Sequence, residues 1–128
     1  MIRYGTVGSN DLARATAFYD PLLATLGMTA FYETKKGGRF YGQHNTGMFA
    51  VVPPYDGGPA TLGNGTMTGF CLETPDAVRA FHAAALALGA SNEGDPGPRG
   101  GGEHAAFFAY FRDPDGNKLC AYAFPAGV

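Results

Sequence analysis

The side chains of this chain whose chemistry could go beyond packing are few: two cysteines, three histidines and a handful of arginines and tyrosines. Cys71 and Cys120 form no CxxC pair and join no His-rich cluster, which speaks against a structural zinc site. A disulfide is not expected in a reducing compartment either. Their plain reading is two buried, small apolar residues. Cys120 as a nucleophile would need a neighbouring base to depress its pKa, and the sequence names none. His104 could serve as acid or base near neutrality, and Arg99 could pair with a ligand carboxylate. These two residues, with Glu103, flank the glycine-rich stretch GDPGPRGGG. Arg39 and Tyr41 form a second polar pair. His44 reads as a loop residue, His82 as a helix-surface histidine, and Glu33 and Glu73 as charges at strand ends.

Those residues need elements to position them, and the chain writes the same plan twice. An apolar stretch, Ile2 to Val7, is followed by Ser9-Asn10-Asp11, which supplies N-cap chemistry. In DLARATAFYDPLLATLG the residues Leu12, Ala15, Phe18, Leu22 and Leu26 form a helical stripe. Pro21 lacks a donor and is expected to kink or interrupt that helix, and Gly27 is its stop. In the second half TMTGFCL (66–72) reads as a strand. Thr74 caps, Pro75 takes the first helical position, and PDAVRAFHAAALALG places Val78, Phe81, Ala85 and Leu88 on one face before Gly89. Three strand-like runs follow each helix, near 28–33, 39–43 and 47–53, then near 90–94, 106–112 and 117–124. The last two are joined by Asp113-Pro114-Asp115-Gly116-Asn117, a strong hairpin signal. Each half is β-α-β-β-β. The expected fold is α+β: two tandem βαβββ modules forming a curved mixed sheet around a concave cavity, helices outside.

The 128 residues suffice for one domain, with module 1 at about 1–53, a Pro/Gly/Asn-rich linker at about 54–65 and module 2 at about 66–128. A net charge of −2 gives no electrostatic case for nucleic acid or an anionic membrane. No apolar run approaches a membrane span, and the first residues carry no signal-peptide pattern. The expected location is the cytoplasm.

Taken together, the tandem modules, NDLARATAFYDPLLATLG, GNGTMTGF and RDPDGNKLCAY resemble the glyoxalase/bleomycin resistance/dioxygenase superfamily, also called vicinal oxygen chelate proteins. The resemblance covers nearly the whole chain. In metal-using members, ligands from the first and last strands of each module converge in the cavity, usually as His and Glu. The resemblance puts those stations at Tyr4, Phe49, Met67 and Cys120. Divalent ions of that kind want imidazole nitrogen or carboxylate oxygen. Phe49 binds no metal, Met67 offers a neutral thioether, and Tyr4 would first have to lose its proton. One thiolate does not make a site. The expectation is therefore no metal and no other cofactor, with a divalent metal as the less favoured case.

Strand alternation gathers Cys120, Tyr122 and Phe124 on one face, Met67, Gly69 and Cys71 on another, and Tyr4 and Thr6 on a third. With Phe49 and Val51 these would line an apolar, aromatic and sulfur-rich wall, suited to a flat or apolar small molecule. The expected ligand-binding set is Tyr4, Phe49, Met67, Cys120, Tyr122, Arg39, Tyr41, Arg99 and His104. Three functions compete: a metal-free binding or sequestering resistance-type protein, a lyase, isomerase or dioxygenase using non-standard residues or a displaced metal, and a structural or interaction domain. The missing ligands favour the first. A homodimer is expected, since family members pair modules between chains and open sheets leave edges to cover.

Overall fold

The computed structural model describes residues 1–102 and 105–126. The elements run β1 (Tyr4–Gly8), α1 (Leu12–Ala24), β2 (Ala30–Glu33), β3 (Arg39–Gln43), β4 (Gly47–Val52), β5 (Thr68–Cys71), α2 (Pro75–Ala87), β6 (Ser91–Arg99), β7 (Ala106–Arg112) and β8 (Lys118–Ala123). Both halves are β-α-β-β-β. They form two compact units, Met1–Asn64 and Gly65–Val128. Each unit has its own four-stranded mixed sheet, ordered β1-β4-β3-β2 and β5-β8-β7-β6. In each, the strand before the helix pairs parallel with the module's last strand, and the remaining pairs are antiparallel.

The helix ends follow local chemistry. Asp11 caps α1 by accepting from the Arg14 amide at 3.0 Å, and Ser9 Oγ accepts from the Asp11 amide. Thr74 caps α2 through the Ala77 amide at 3.1 Å. Both helices stop in the same way. Gly27 and Gly89 take positive φ, and the residue after each donates back into the last turn, Met28 to the Leu23 carbonyl and Ala90 to the Ala85 carbonyl. α1 continues through Pro21, against expectation. Phe18, Tyr19, Leu22 and Leu23, buried on either side of it, hold the helix on its sheet.

The expected strands are present with shifted ends, and β6 differs most. It extends through Asp95-Pro96-Gly97-Pro98-Arg99, a stretch whose composition reads as loop. Gly97 and Pro98 pair with Phe108 and Phe107, after two slips in register. β6 is an edge strand, where a missing proline donor costs no ladder bond. Buried Asp113 closes the β7–β8 hairpin by accepting from the amides of Asp115 and Asn117 at 3.0 and 2.8 Å, while Gly116 takes φ of 95°. That turn sets the register that places Cys120 opposite Tyr110, and on its other side Cys120 pairs with Gly69 of β5. No helix among the described residues is long and apolar enough to cross a membrane.

Candidate functional site

In unit 1, register and alternation divide the sheet into two faces. Phe49 pairs with Gly5 and Tyr41, so these three share a face. It is the helix face: the Tyr19 ring of α1 lies 5.0 Å from Phe49 and 6.4 Å from Tyr41. Three of the expected cavity residues belong to this packed side. Phe49 is buried core. Tyr41 is fully buried and its hydroxyl donates to Asp20 Oδ1 at 2.6 Å. Arg39 pairs with Asp20 at 2.6 Å and with Glu33 at 3.5 Å. Burial and the Asp20 carboxylate hold the Tyr41 hydroxyl protonated well above the usual phenol range. The reason for the correction is parity: Tyr4 pairs with Met48, so Met48 and not Phe49 shares its face.

The opposite, open face carries Tyr4, Thr6 and Gly8 on β1 and Met48, Ala50 and Val52 on β4, with Phe40 and Gly42 on β3. Here Tyr4 stacks on Phe40 at 5.5 Å, and Phe31 and Tyr32 meet Phe40 edge-on. Tyr4, Phe31 and Tyr32 are each about half exposed.

Unit 2 divides the same way. Phe70, Ala109, Phe111, Leu119 and Ala121 face α2 and its Val78, Phe81 and Ala85. His82 belongs to this core and not to the helix surface. It is 4% exposed, and Nε2 lies 3.1 Å from both Asn92 Oδ1 and the Tyr110 carbonyl oxygen. Its position on the stripe Val78, Phe81, Ala85 was the signal for this burial.

The open face of sheet 2 carries Cys120 and Tyr122 on β8, Gly69 and Cys71 on β5, and Phe108 and Tyr110 on β7. Phe108 is its centre. It stacks on Tyr122 at 5.3 Å and on Tyr110 at 5.8 Å, and meets Phe124 edge-on at 6.3 Å. Phe108 and Tyr110 were not among the expected site residues, although alternation in AFFAYFR puts them on one face. Arg99 and Lys118 lie over the Tyr110 ring at 5.5 and 5.4 Å. Arg99 also donates to the Asp95 carbonyl at 2.8 Å, which ties it to its own strand. Gly69 leaves a notch: a Cβ there would stand 3.0 Å from Cys120 Sγ and 3.1 Å from Tyr122 Cε1. Cys120 is 2% exposed, whereas Cys71 is open to solvent. Burial pushes the Cys120 thiol up to about 11, against a lowering by Lys118. Burial, then the neighbouring Cys71 and Cys120, raise the Tyr122 hydroxyl. Met67 precedes β5 and is 47% exposed. His104 lies outside the described residues.

Among the described residues no three His, Cys, Asp or Glu side chains converge as a metal cluster would. Cys120, at the position before which DPDGN turns the chain, offers a protonated thiol. Tyr4 and Met48 share a face in unit 1 and offer a phenol and a thioether. Neither set suits a hard divalent ion.

The glyoxalase/bleomycin resistance protein/dioxygenase superfamily matches residues 2–121. A crystal structure of a glyoxalase/bleomycin resistance protein from Albidiferax ferrireducens T118 is 42% identical, covers 98% of this chain and 99% of its own, and superposes with a TM-score of 0.86. A glyoxalase/bleomycin resistance protein/dioxygenase family enzyme from Burkholderia phytofirmans PsJN shares the fold at 16% identity, with 95% and 97% coverage and a TM-score of 0.73. A lactoylglutathione lyase from Agrobacterium tumefaciens does so at 19% identity, with 96% and 92% coverage and a TM-score of 0.66. No curated protein matches the chain.

Proposed function

The chain belongs to the glyoxalase/bleomycin resistance protein/dioxygenase superfamily, and from that premise we propose that it binds a small apolar or aromatic molecule without the metal that superfamily members commonly use. The observation that carries this reading is the ring ladder Tyr110–Phe108–Tyr122–Phe124 on the open face of sheet 2, with Cys120 where the resemblance puts a carboxylate. A flat ligand gains stacking area on such rings without having to order them, since Phe108 already fixes its neighbours. The cations over Tyr110 lie at the ladder's end, which leaves Phe108, Tyr122 and Phe124 to an uncharged ring.

The donor chemistry supports the metal-free part. A thiol raised to about 11 must lose its proton before it can bind an ion. The homodimer belongs to the same reading, with the exposed edges of the sheets as the surfaces to be covered, and light scattering reads it.

The test is a titration with a neutral flat probe, 2-naphthylmethanol, followed by melting shift and by quenching of tyrosine fluorescence. Phe108→Ala removes the ring that all the others touch and should abolish the shift while leaving the helix-side core intact. Elemental analysis after mild purification accompanies it. One equivalent of zinc, nickel, iron or manganese, removed by chelation together with a lyase, isomerase or dioxygenase activity, would replace this reading with an enzymatic one.

A further inference from the structure

We propose that unit 1 holds a ligand site of its own: a cleft of about 780 Å³ that takes a small organic anion, a carboxylate or phosphate on an apolar body. The cleft lies over the open face of β1 and β4, between the β2–β3 turn and the loop after β4. Its size falls within the range of small-molecule pockets. Neither the ring ladder nor its ligand enters the argument, so the two proposals stand or fall separately.

Two pinned loops build the walls. Asn10 holds the far loop from both sides: its Nδ2 donates to the Ala60 carbonyl at 3.0 Å and its Oδ1 accepts from the Ala60 amide at 2.7 Å. The loop runs so close to β1 that a Cβ on Gly8 would stand 3.0 Å from the Ala60 Cβ. The β2–β3 turn is fixed by Thr34, whose amide donates to the Gly38 carbonyl at 2.7 Å and whose Oγ1 accepts from the Gly38 amide at 2.8 Å. Lys36 joins the two loops. It donates to the Tyr55 carbonyl at 3.2 Å and lies 5.4 Å from the Tyr55 ring centroid.

The lining is therefore carried on two loops already fixed by hydrogen bonds, which lowers the ordering cost of binding. It is also asymmetric in hydrogen-bonding capacity. Lys35, Thr6, Thr61 and Tyr55 are among the lining residues, and their ammonium and hydroxyl groups make no hydrogen bond within the described residues. All four can donate, and Lys35 and Lys36 bring two positive charges. The single carboxylate, Asp56, is turned to its own loop, where Oδ1 accepts from the Gly58 amide at 2.9 Å. Val52, Pro53 and Pro54 supply the apolar floor. Uncommitted donors and net positive charge above an apolar floor select an anion with an apolar body over a cation or a neutral polar molecule. Two lysines and a cleft of this size do not make a polyanion surface.

Isothermal titration of the full chain carrying Phe108→Ala, so that the ring ladder does not take up the flat probes, at low salt with benzoate, 2-naphthoate and phenyl phosphate tests the proposal, with 2-naphthamide as the uncharged control. At least one anion should bind with one-to-one stoichiometry, and 2-naphthamide should bind about ten-fold more weakly or worse, the loss of one charge-assisted contact. Lys35→Gln, a surface change whose melting point should match wild type, should weaken the anion by a similar factor. Lys36→Gln should weaken it too, through the loop it anchors. Three results would overturn the proposal: no binding of any of the three anions, equal binding of naphthoate and naphthamide, or affinity unchanged in Lys35→Gln. Loss of naphthoate binding in Phe108→Ala with retention in Lys35→Gln would also overturn it, placing the anion on the ring ladder beside Arg99 and Lys118.

Discussion

Cys120 should be much the less reactive of the chain's two thiols. Its side chain is 2% exposed and burial raises its pKa from 9.0 to about 11. At pH 8 a thiol of pKa 9.0 is about one-tenth thiolate, whereas one at about 11 is about one-thousandth, a hundred-fold difference before access is counted. Access adds to it, since the reagent reaches a buried sulfur only through local opening. The assay is alkylation by iodoacetamide at pH 8, with peptide mapping by mass spectrometry, on native protein and on protein unfolded in urea. Exposed Cys71 reports in the same sample that the reagent is active. Native Cys120 should react at least about a hundred-fold more slowly than unfolded Cys120. The rate should keep climbing with pH through 9 and 10, without a plateau near 7. A native rate within about ten-fold of the unfolded one, or an inflection near pH 7, would refute the reasoning. It would mean that a neighbouring base activates Cys120, and a nucleophile would then stand where an inert wall has been described.

Alkaline pH should destabilise the fold. Cys120, Tyr41 and Tyr122 all keep their protons in the folded state at pH values where the unfolded chain releases them. Their contribution is complete below the unfolded pKa values and is lost as pH rises, for Cys120 between 9.0 and about 11, so urea midpoints should fall over that window and Cys120→Ala should make the fall shallower, leaving the part due to Tyr41 and Tyr122. Gly69→Ala should cost about 1–3 kcal/mol by chemical denaturation, and less in a Cys120→Ala background, which removes the 3.0 Å contact. Tyr41→Phe should cost about 1–2 kcal/mol, because a buried hydroxyl leaves Asp20 with one partner fewer. Met67→Arg should melt within about 0.5 kcal/mol of wild type, since Met67 is half exposed and lies outside β5; a large loss would show that the position is packed.

The duplicated βαβββ plan, both helices with their caps and stops, and the DPDGN hairpin were legible in the sequence, because each is decided within a few residues. A cap needs one side-chain oxygen and an amide three positions on, and a helix stop needs one glycine free to take positive φ. Which face each strand turns inward was not legible to the same degree. Phe49 and Met48 are adjacent and both apolar, and only the pairing of β4 with β1 and β3 decides that Phe49 meets Tyr19 while Met48 shares a face with Tyr4. A one-residue change of register exchanges the two faces, and nothing local prevents it. Arg39 and Tyr41 moved to the helix side for the same reason, where Asp20, distant in sequence, satisfies both. The glycine- and proline-rich run after Gly94 has the composition of a loop. It became strand because β7 offers it an edge on which prolines are tolerated. His82 shows the mixed case: the stripe that buries it is written in the sequence, but the Asn92 and Tyr110 oxygens that make its burial affordable come from other strands. Periodicity and turn chemistry are local and survive in the sequence, whereas facing, burial and the partners of polar side chains are set by contacts between segments far apart in the chain.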